Sequence, residues 1–314
     1  MGSYDSISLW LPSENAGVKL LSSQIVCKLS GVTQSIQENG IESYSGSLGS
    51  NLRVRVLDQG LSLNGSISKY FLSNNIECLS RAATQQAIER ISDELSLPMK
   101  DAKLKKLDYA LNLVMKQKPD AYFPLLGESR YFKRAQFDST LYYINTQKKL
   151  RIYDKSKESK KLLLRLPAAL QDANLLRFEL ALQRKLSSQF NTAELTASSL
   201  YQEPFYMAVI DKLLQEYQAI RKNKVINLNF DAMKSPKDFW LQVNSDWIQR
   251  IGGEKAALGI VERMKGKDAF SKPEYYSRLK KEIREAAALP AASEDSPLLK
   301  ELDEKMKRVK SYYR

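Results

Sequence analysis

A chain of 314 residues with 49 Lys+Arg, 36 Asp+Glu and a formal net charge of +13 can bury a substantial core in one large domain or two. That charge favours an anionic partner, nucleic acid first and a membrane surface second, although no apolar run is long enough to span a bilayer and no signal peptide is read at the start. The complete lack of histidine excludes Ser-His-Asp and Cys-His hydrolases, histidine-ligated zinc enzymes and histidine-based nucleases, while Cys27 and Cys78 are too few for a disulfide scaffold and suit a reducing cytoplasm.

In chain order, Tyr4 to Leu11 alternates as a strand, with Ile7, Leu9 and Leu11 on one face and Pro12 closing it. Ser23 to Ser30 and Leu52 to Leu57 read as further strands. In the second, Leu52, Val54 and Val56 alternate with Arg53 and Arg55, the mark of a sheet with one wet face. Gly46, Gly49, Gly60 and Gly65 punctuate the region, so an antiparallel meander is expected rather than βαβ units. From Ser80 to Leu97 the period becomes helical, with Ala87, Ile88, Ile91 and Leu95 as the stripe and Pro98 as the stop.

Lys103 to Met115 returns to a strand. Leu107, Tyr109, Leu111 and Leu113 line one face; Asp108, Ala110 and Asn112 line the other. An aspartate inside an apolar strand costs stability unless something pairs with it, so Asp108 is a hydrogen-bonded or surface-facing residue or a metal ligand. Ser139 to Ile144 and Leu150 to Asp154 pair as a hairpin through the polar stretch from Asn145 to Lys149.

Within the segment KKLRIYDKSKE, residues 148–158, a strand carries Arg151, Tyr153 and Lys155 on one face. A tyrosine flanked by cations is a candidate phosphate-attacking nucleophile, because cations stabilise both the phenolate and the charge developing at phosphorus. The alternative is an edge strand with a solvated basic face. Glu158, five residues beyond Tyr153, is placed to help hold a divalent ion. Without histidine or enough thiols, any metal must have oxygen ligands, which points to Mg²⁺ or Mn²⁺. Eight Lys/Arg against two acids between Lys148 and Arg165 are either solvated or neutralise backbone phosphates.

Leu175 to Arg184 is the last clear strand, with Phe178, Leu180 and Leu182 on one side and Arg177, Glu179, Ala181 and Gln183 on the other. Asp108, Tyr153 and Glu179 form one active face if these three strands are neighbours. Beyond about residue 190 strand signals mostly stop. Helices are expected over Pro204 to Lys222, Pro236 to Ile251, Glu254 to Met264 and Pro273 to Ala288. A linker from Pro290 to Pro297 and a charged terminal helix from Leu298 to Tyr312 follow. The expected organisation is α+β: an antiparallel sheet flanked by helices over 1–190, a helical domain over 191–289, and the linker and terminal helix over 290–314.

The series LKKLDYALN, KKLRIYDKSKE and LLRFELALQR, with the opening YDSISLWLP, resembles the rolling-circle replication initiators of the filamentous-phage gene II/X family and is similar to the initiators of small staphylococcal plasmids. The resemblance runs to about Phe190. It implies a relaxase-like sheet and a strand-specific origin nickase and ligase. In such proteins a tyrosine joins the 5′ phosphate and frees a 3′ hydroxyl that primes synthesis. Tyr153 occupies that position here and Lys155 the lysine two residues on. Asp108, Glu158 and Glu179 match acids that hold Mg²⁺ or Mn²⁺, and Lys148, Lys149, Arg151 and Arg177 are the implied DNA contacts. Ala181 stands where the plasmid relatives carry a second glutamate, and no second motif tyrosine lies beside Tyr153, which leaves the rejoining step open. The implied partners are origin DNA, single-stranded or supercoiled, and a host helicase and polymerase, in the cytoplasm of a bacterial host. The rival readings are a mobilisation relaxase acting on a transfer origin and a non-catalytic DNA-binding regulator.

Overall fold

Side chains that alternate in polarity can bury one face of a strand, and most such runs in the first 190 residues enter one sheet. The computed structural model describes residues 2–36, 40–164, 166–226, 228–289, 293–294 and 296–312. Its strands are β1 (Gly2–Pro12), β2 (Ser30–Ile36), β3 (Glu42–Leu48), β4 (Leu52–Leu57), β5 (Gly60–Ser66), β6 (Lys103–Met115), the short β7 (Leu126–Ser129), β8 (Lys133–Phe137), β9 (Thr140–Ile144), β10 (Lys148–Asp154) and β11 (Asn174–Leu182). All but β7 form one ten-stranded sheet in the order β2-β3-β4-β5-β1-β6-β11-β10-β9-β8. Its ladders are antiparallel, so the fold is α+β with the expected meander at one end.

The helices packed with it are the short α1 (Ser13–Ala16), α2 (Ser23–Val26) and α3 (Ile67–Leu72), then α4 (Arg81–Leu95), α5 (Lys155–Lys161), the short α6 (Leu186–Gln189) and α7 (Glu203–Ala219). Ser80 caps α4 by accepting from the Ala83 N–H at 3.1 Å, and Ala87, Ile88, Ile91 and Leu95 are buried as the helical period required. α7 buries Phe205, Tyr206, Val209, Ile210, Leu213 and Tyr217. Tyr206 meets Tyr4 and Tyr109 edge-on at 5.4 and 6.0 Å, and Tyr217 meets Phe178 at 5.8 Å. Tyr4, Tyr109 and Phe178 all lie on one face of the central strands, so α7 covers that face and leaves the opposite one for polar residues.

Chain packing divides into two units, Met1–Arg221 with Glu301–Arg314 and Lys222–Lys300. The first unit takes in α7, whose apolar stripe belongs to the sheet's core. In the second unit α8 (Pro236–Arg250), α9 (Glu254–Lys265) and α10 (Pro273–Ala287) enclose Ile248, Ala257, Val261, Tyr276, Ile283 and Ala286. Later in the chain, α11 (Pro297–Arg308) crosses the second boundary. In the first unit it buries Leu302, Met306 and, just past its end, Val309, while Glu301 accepts from the Lys116 N–H at 3.0 Å and the Tyr122 hydroxyl at 2.6 Å.

Two expectations are corrected. Ser23 to Ser30 is not a strand: residues 23–26 form α2, anchored by buried Ile25, and extended backbone starts at Ser30. The C-terminal part is not wholly helical, since Ile220–Lys222 is a short strand and Val225–Ile226 pairs with Ser293–Glu294. Strands of two or three residues are too short to carry a period. Within the expected linker, positions 290–292 and 295 lie outside the described residues, as does Arg165.

Candidate active face of the sheet

The three motif strands are neighbours, in the order β6-β11-β10. Their register makes three rows across the sheet: Asn112–Arg177–Tyr153, Ala110–Glu179–Arg151 and Asp108–Ala181–Lys149. Side chains in one row, and two residues along, share a face, so Asp108, Glu179, Arg177, Arg151, Lys149 and Tyr153 all lie opposite the α7 side.

The Tyr153 hydroxyl donates to Glu179 Oε2 at 3.2 Å. Arg151 pairs with Glu179 Oε1, and Arg177 Nε lies 3.6 Å from its Oε2. Arg177 is 1% exposed, with Nη2 2.5 Å from Asp5 Oδ2 and Nη1 donating to the Asn75 carbonyl at 2.6 Å and to Asn112 Oδ1 at 3.3 Å. Asp5 also accepts from the Ser66 hydroxyl at 2.8 Å and the Asn75 amide at 3.2 Å. Asp5 sits at an irregularity of β1 between Tyr4 and Ile7, where the pairing with β6 shifts. The loop after α3, which enters through Ser73 at φ 62°, brings Asn75 over the same face.

Burial and charge set the protonation states. Burial pushes the Tyr153 phenol up to about 12, against the opposing pull of Arg177, so at neutral pH it is protonated. Burial lowers Lys155, and Arg177 adds to that; burial and Arg151 lower Lys149. Burial raises Asp108 to about 6 despite Arg151, and Asp5 contributes in the same direction.

Several candidates sit elsewhere than their spacing suggested. Lys155 is not on the strand: it is the first residue of α5, buried, and donates to Glu158 Oε2 at 2.5 Å and Asn75 Oδ1 at 3.2 Å. Glu158 is likewise on α5, so a strand extrapolated past Asp154 misplaces both. Lys148 alternates to the other face and is held by Glu216 at 2.5 Å. Arg177 is enclosed by its partners, whereas Arg151, 35% exposed at its side chain, is open to a ligand.

Asp5, Asn75 and Asn112 join the network without having been singled out. A signal existed for Asp5, an acid inside an apolar strand like Asp108 and Glu179. Asn75 sits in a polar loop whose sequence gives no sign of its position.

Asp108, Glu158 and Glu179 do not meet as a metal cage. Among the described residues no three acidic or thiol ligands cluster. Glu158 is taken by Lys155 and Glu179 by two arginines and the phenol. Half-buried Asp108 has no hydrogen bond or ion pair among the described residues, and its raised titration marks a carboxylate that a cation would relieve. Asp108 alone fits a divalent ion as the residues stand.

The family model for the N-terminal part of the replication-associated protein G2P matches residues 3–204, which takes in every residue of this network. No curated protein matches the chain.

Proposed function

The chain belongs to the replication-associated protein family typified by G2P, the filamentous-phage gene II type of rolling-circle replication initiator, and we propose that it nicks origin DNA through Tyr153. The observation that carries this reading is a phenol hydrogen-bonded to a carboxylate on an arginine-bracketed face shared by three motif strands. The relaxase-like character of the sheet belongs to the same proposal.

In this reaction the phenolic oxygen forms a bond to phosphorus and the bond from phosphorus to the 3′ oxygen breaks. The departing 3′ oxygen takes a proton from water, so the product is a 5′-phosphotyrosine and a free 3′ hydroxyl, and attack by that hydroxyl reverses the step and rejoins the strand. Glu179 Oε2, the acceptor of the phenol's hydrogen bond, takes the proton that a group titrating near 12 will not release by itself. Arg151 is the open guanidinium beside the phenol and offsets charge on the phosphate oxygens. Lys155, held by Glu158 and Asn75, adds a buried positive charge near the site. Arg177, itself held by Asp5, keeps its positive charge 3.6 Å from the Glu179 carboxylate.

Mg²⁺ or Mn²⁺ enters the proposal in a reduced form. Mg²⁺ binds through one or two carboxylates, water and substrate phosphate, so Asp108 with a bound phosphodiester is a sufficient protein contribution. Such an ion would supply Lewis-acid stabilisation of the scissile phosphate. Asp108→Asn is expected to weaken Mn²⁺ binding in the presence of an oligonucleotide, read by the ion's paramagnetic signal. Glu158→Gln is expected to leave it unchanged.

The deciding experiment mixes the protein with a supercoiled plasmid bearing its own origin and resolves nicked circles and covalent adducts on denaturing gels. Tyr153→Phe is expected to lose adduct and nicking by at least a hundredfold while retaining DNA binding. Adduct formation by that variant would remove Tyr153 as nucleophile.

A further inference from the structure

The face that carries Tyr153 does not stop at β10. Tyr153 pairs with Thr140 and Thr140 with Phe137; Arg151 pairs with Tyr142 and Tyr142 with Ala135; Lys149 pairs with Ile144 and Ile144 with Lys133. The same side of β9 and β8 thus continues the active face outward to the sheet's edge, about 10 Å beyond the phenol at ordinary strand spacing.

Its occupants differ from those of the interior. Phe137 is 67% exposed and Ile144 40%, and the Phe137 ring meets Tyr142 edge-on at 5.9 Å. Lys149 Nζ lies 4.8 Å above the Tyr142 ring. Lys133 is exposed at the edge, and Asp138, the acid of the hairpin turn, is paired with Lys157. The opposite side of the hairpin is conventional core: Leu141 and Tyr143 are buried, and the Tyr143 hydroxyl donates to the Gly127 carbonyl at 2.7 Å. One exposed aromatic is ordinary. An exposed Phe137 in ring contact with a half-buried Tyr142, bracketed by cations and continuous with a nucleophile's face, forms a stacking surface with a charge rail.

We propose that the β8–β9 hairpin is a platform for single-stranded DNA, with unpaired bases beside the scissile phosphate stacking on Phe137 and Tyr142 and the backbone running along Lys149 and Lys133. The proposal deepens the reading of Tyr153 as the nucleophile and rests on it for the register. The chemistry selects single strands over duplex. In a duplex the π-faces are already stacked, so an aromatic platform can only be occupied by bases that have left the helix, and stacking is tolerant of sequence. The net charge of +13 supplies the complementary field. The origin is then cleaved as locally opened DNA rather than as intact duplex.

The test places Phe137→Ala/Tyr142→Ala in a Tyr153→Phe background, so that no covalent adduct forms. Fluorescence anisotropy is read with a mixed-sequence single-stranded oligonucleotide of about 16 nucleotides and with its duplex. The expected result is at least tenfold weaker single-strand binding with less than twofold change for duplex. Phe137→Trp/Tyr142→Phe, which keeps both rings, should bind as the parent does, and an unchanged thermal transition should exclude misfolding. Unchanged single-strand affinity, or equal loss for both forms, overturns the platform. So does a change in oligomeric state by light scattering without a change in binding, which would make the edge a self-interface. The nucleophile assignment is separable: an active Tyr153→Phe variant with a normal platform result sinks the chemistry and leaves the binding surface standing.

Discussion

At the residue scale the candidate site is decided by which charges are free. Arg177 and Arg151 both touch Glu179, yet Arg177 is 1% exposed and surrounded by Asp5, Asn75 and Asn112, while Arg151 reaches solvent. Removing one member of a buried pair leaves an uncompensated charge, so Arg177→Ala should cost about 3–5 kcal/mol in urea denaturation. Arg151→Ala, at the more exposed position, should cost under about 1 kcal/mol. Equal losses would mean that the two arginines share one role.

Asp108 gives a residue-scale prediction with a sign. Its folded titration near 6 lies above that of an unfolded aspartate, so the unfolded state loses its proton first and stability falls as pH rises from about 4 to about 6. Asp108→Asn should therefore be more stable than the parent at pH 8 in chelator, by on the order of 1–2 kcal/mol. The gap should close below about pH 4. Thermal melts across that range check it, and a gap independent of pH would assign the effect to packing.

At the scale of elements, legibility follows the strength of each run's burial. β4 and β6 are legible to the residue, since Leu52, Val54 and Val56 and then Leu107, Tyr109 and Leu111 are buried in the alternation their sequence displays. β2 is exposed along its length and had no apolar pattern to read. Segment 23–30 contains Ile25 and Val26, which favour strands by propensity, but a local helical turn that buries Ile25, with Leu29 buried one turn on, prevails there. The hairpin of β4 and β5 depends on Gly65, at φ 151°, where a Cβ would fall on the Asn51 carbonyl oxygen. Gly65→Ala should destabilise the protein by at least about 2 kcal/mol by thermal denaturation, because backbone rather than a flexible side chain must yield. A neutral Gly65→Ala would show that the backbone of this hairpin relaxes freely.

At the scale of the molecule, the end of the chain returns to the first unit. Leu302, Met306 and Val309 are buried there, and Glu301 satisfies the Lys116 N–H and the Tyr122 hydroxyl. Ending the chain after residue 296 removes these side chains at about 1.5–3 kcal/mol each. The expected loss is about 5 kcal/mol or more, visible as a lower midpoint in urea. A truncated chain with an unchanged midpoint would show that α11 is an accessory. Among the described residues no helix is long and apolar enough to cross a membrane.

Local pattern determines the antiparallel α+β class, the central motif strands and the side of its own strand on which each of Asp108, Glu179 and Tyr153 sits, because period-two alternation is a property of consecutive residues; that these sides form one face is decided by the strand order β6-β11-β10. Local pattern was insufficient for what happens past Asp154, where Lys155 and Glu158 turn into a helix. Nor did it place Asp5 and Asn75 against Arg177, or show that Glu158 and Glu179 are occupied by cations. Those outcomes depend on strand order and on a loop closing across the sheet, which are set by contacts between residues 70 to 172 positions apart. Contacts at such separations leave no periodic trace in the sequence, and only the packed chain decides which charge meets which.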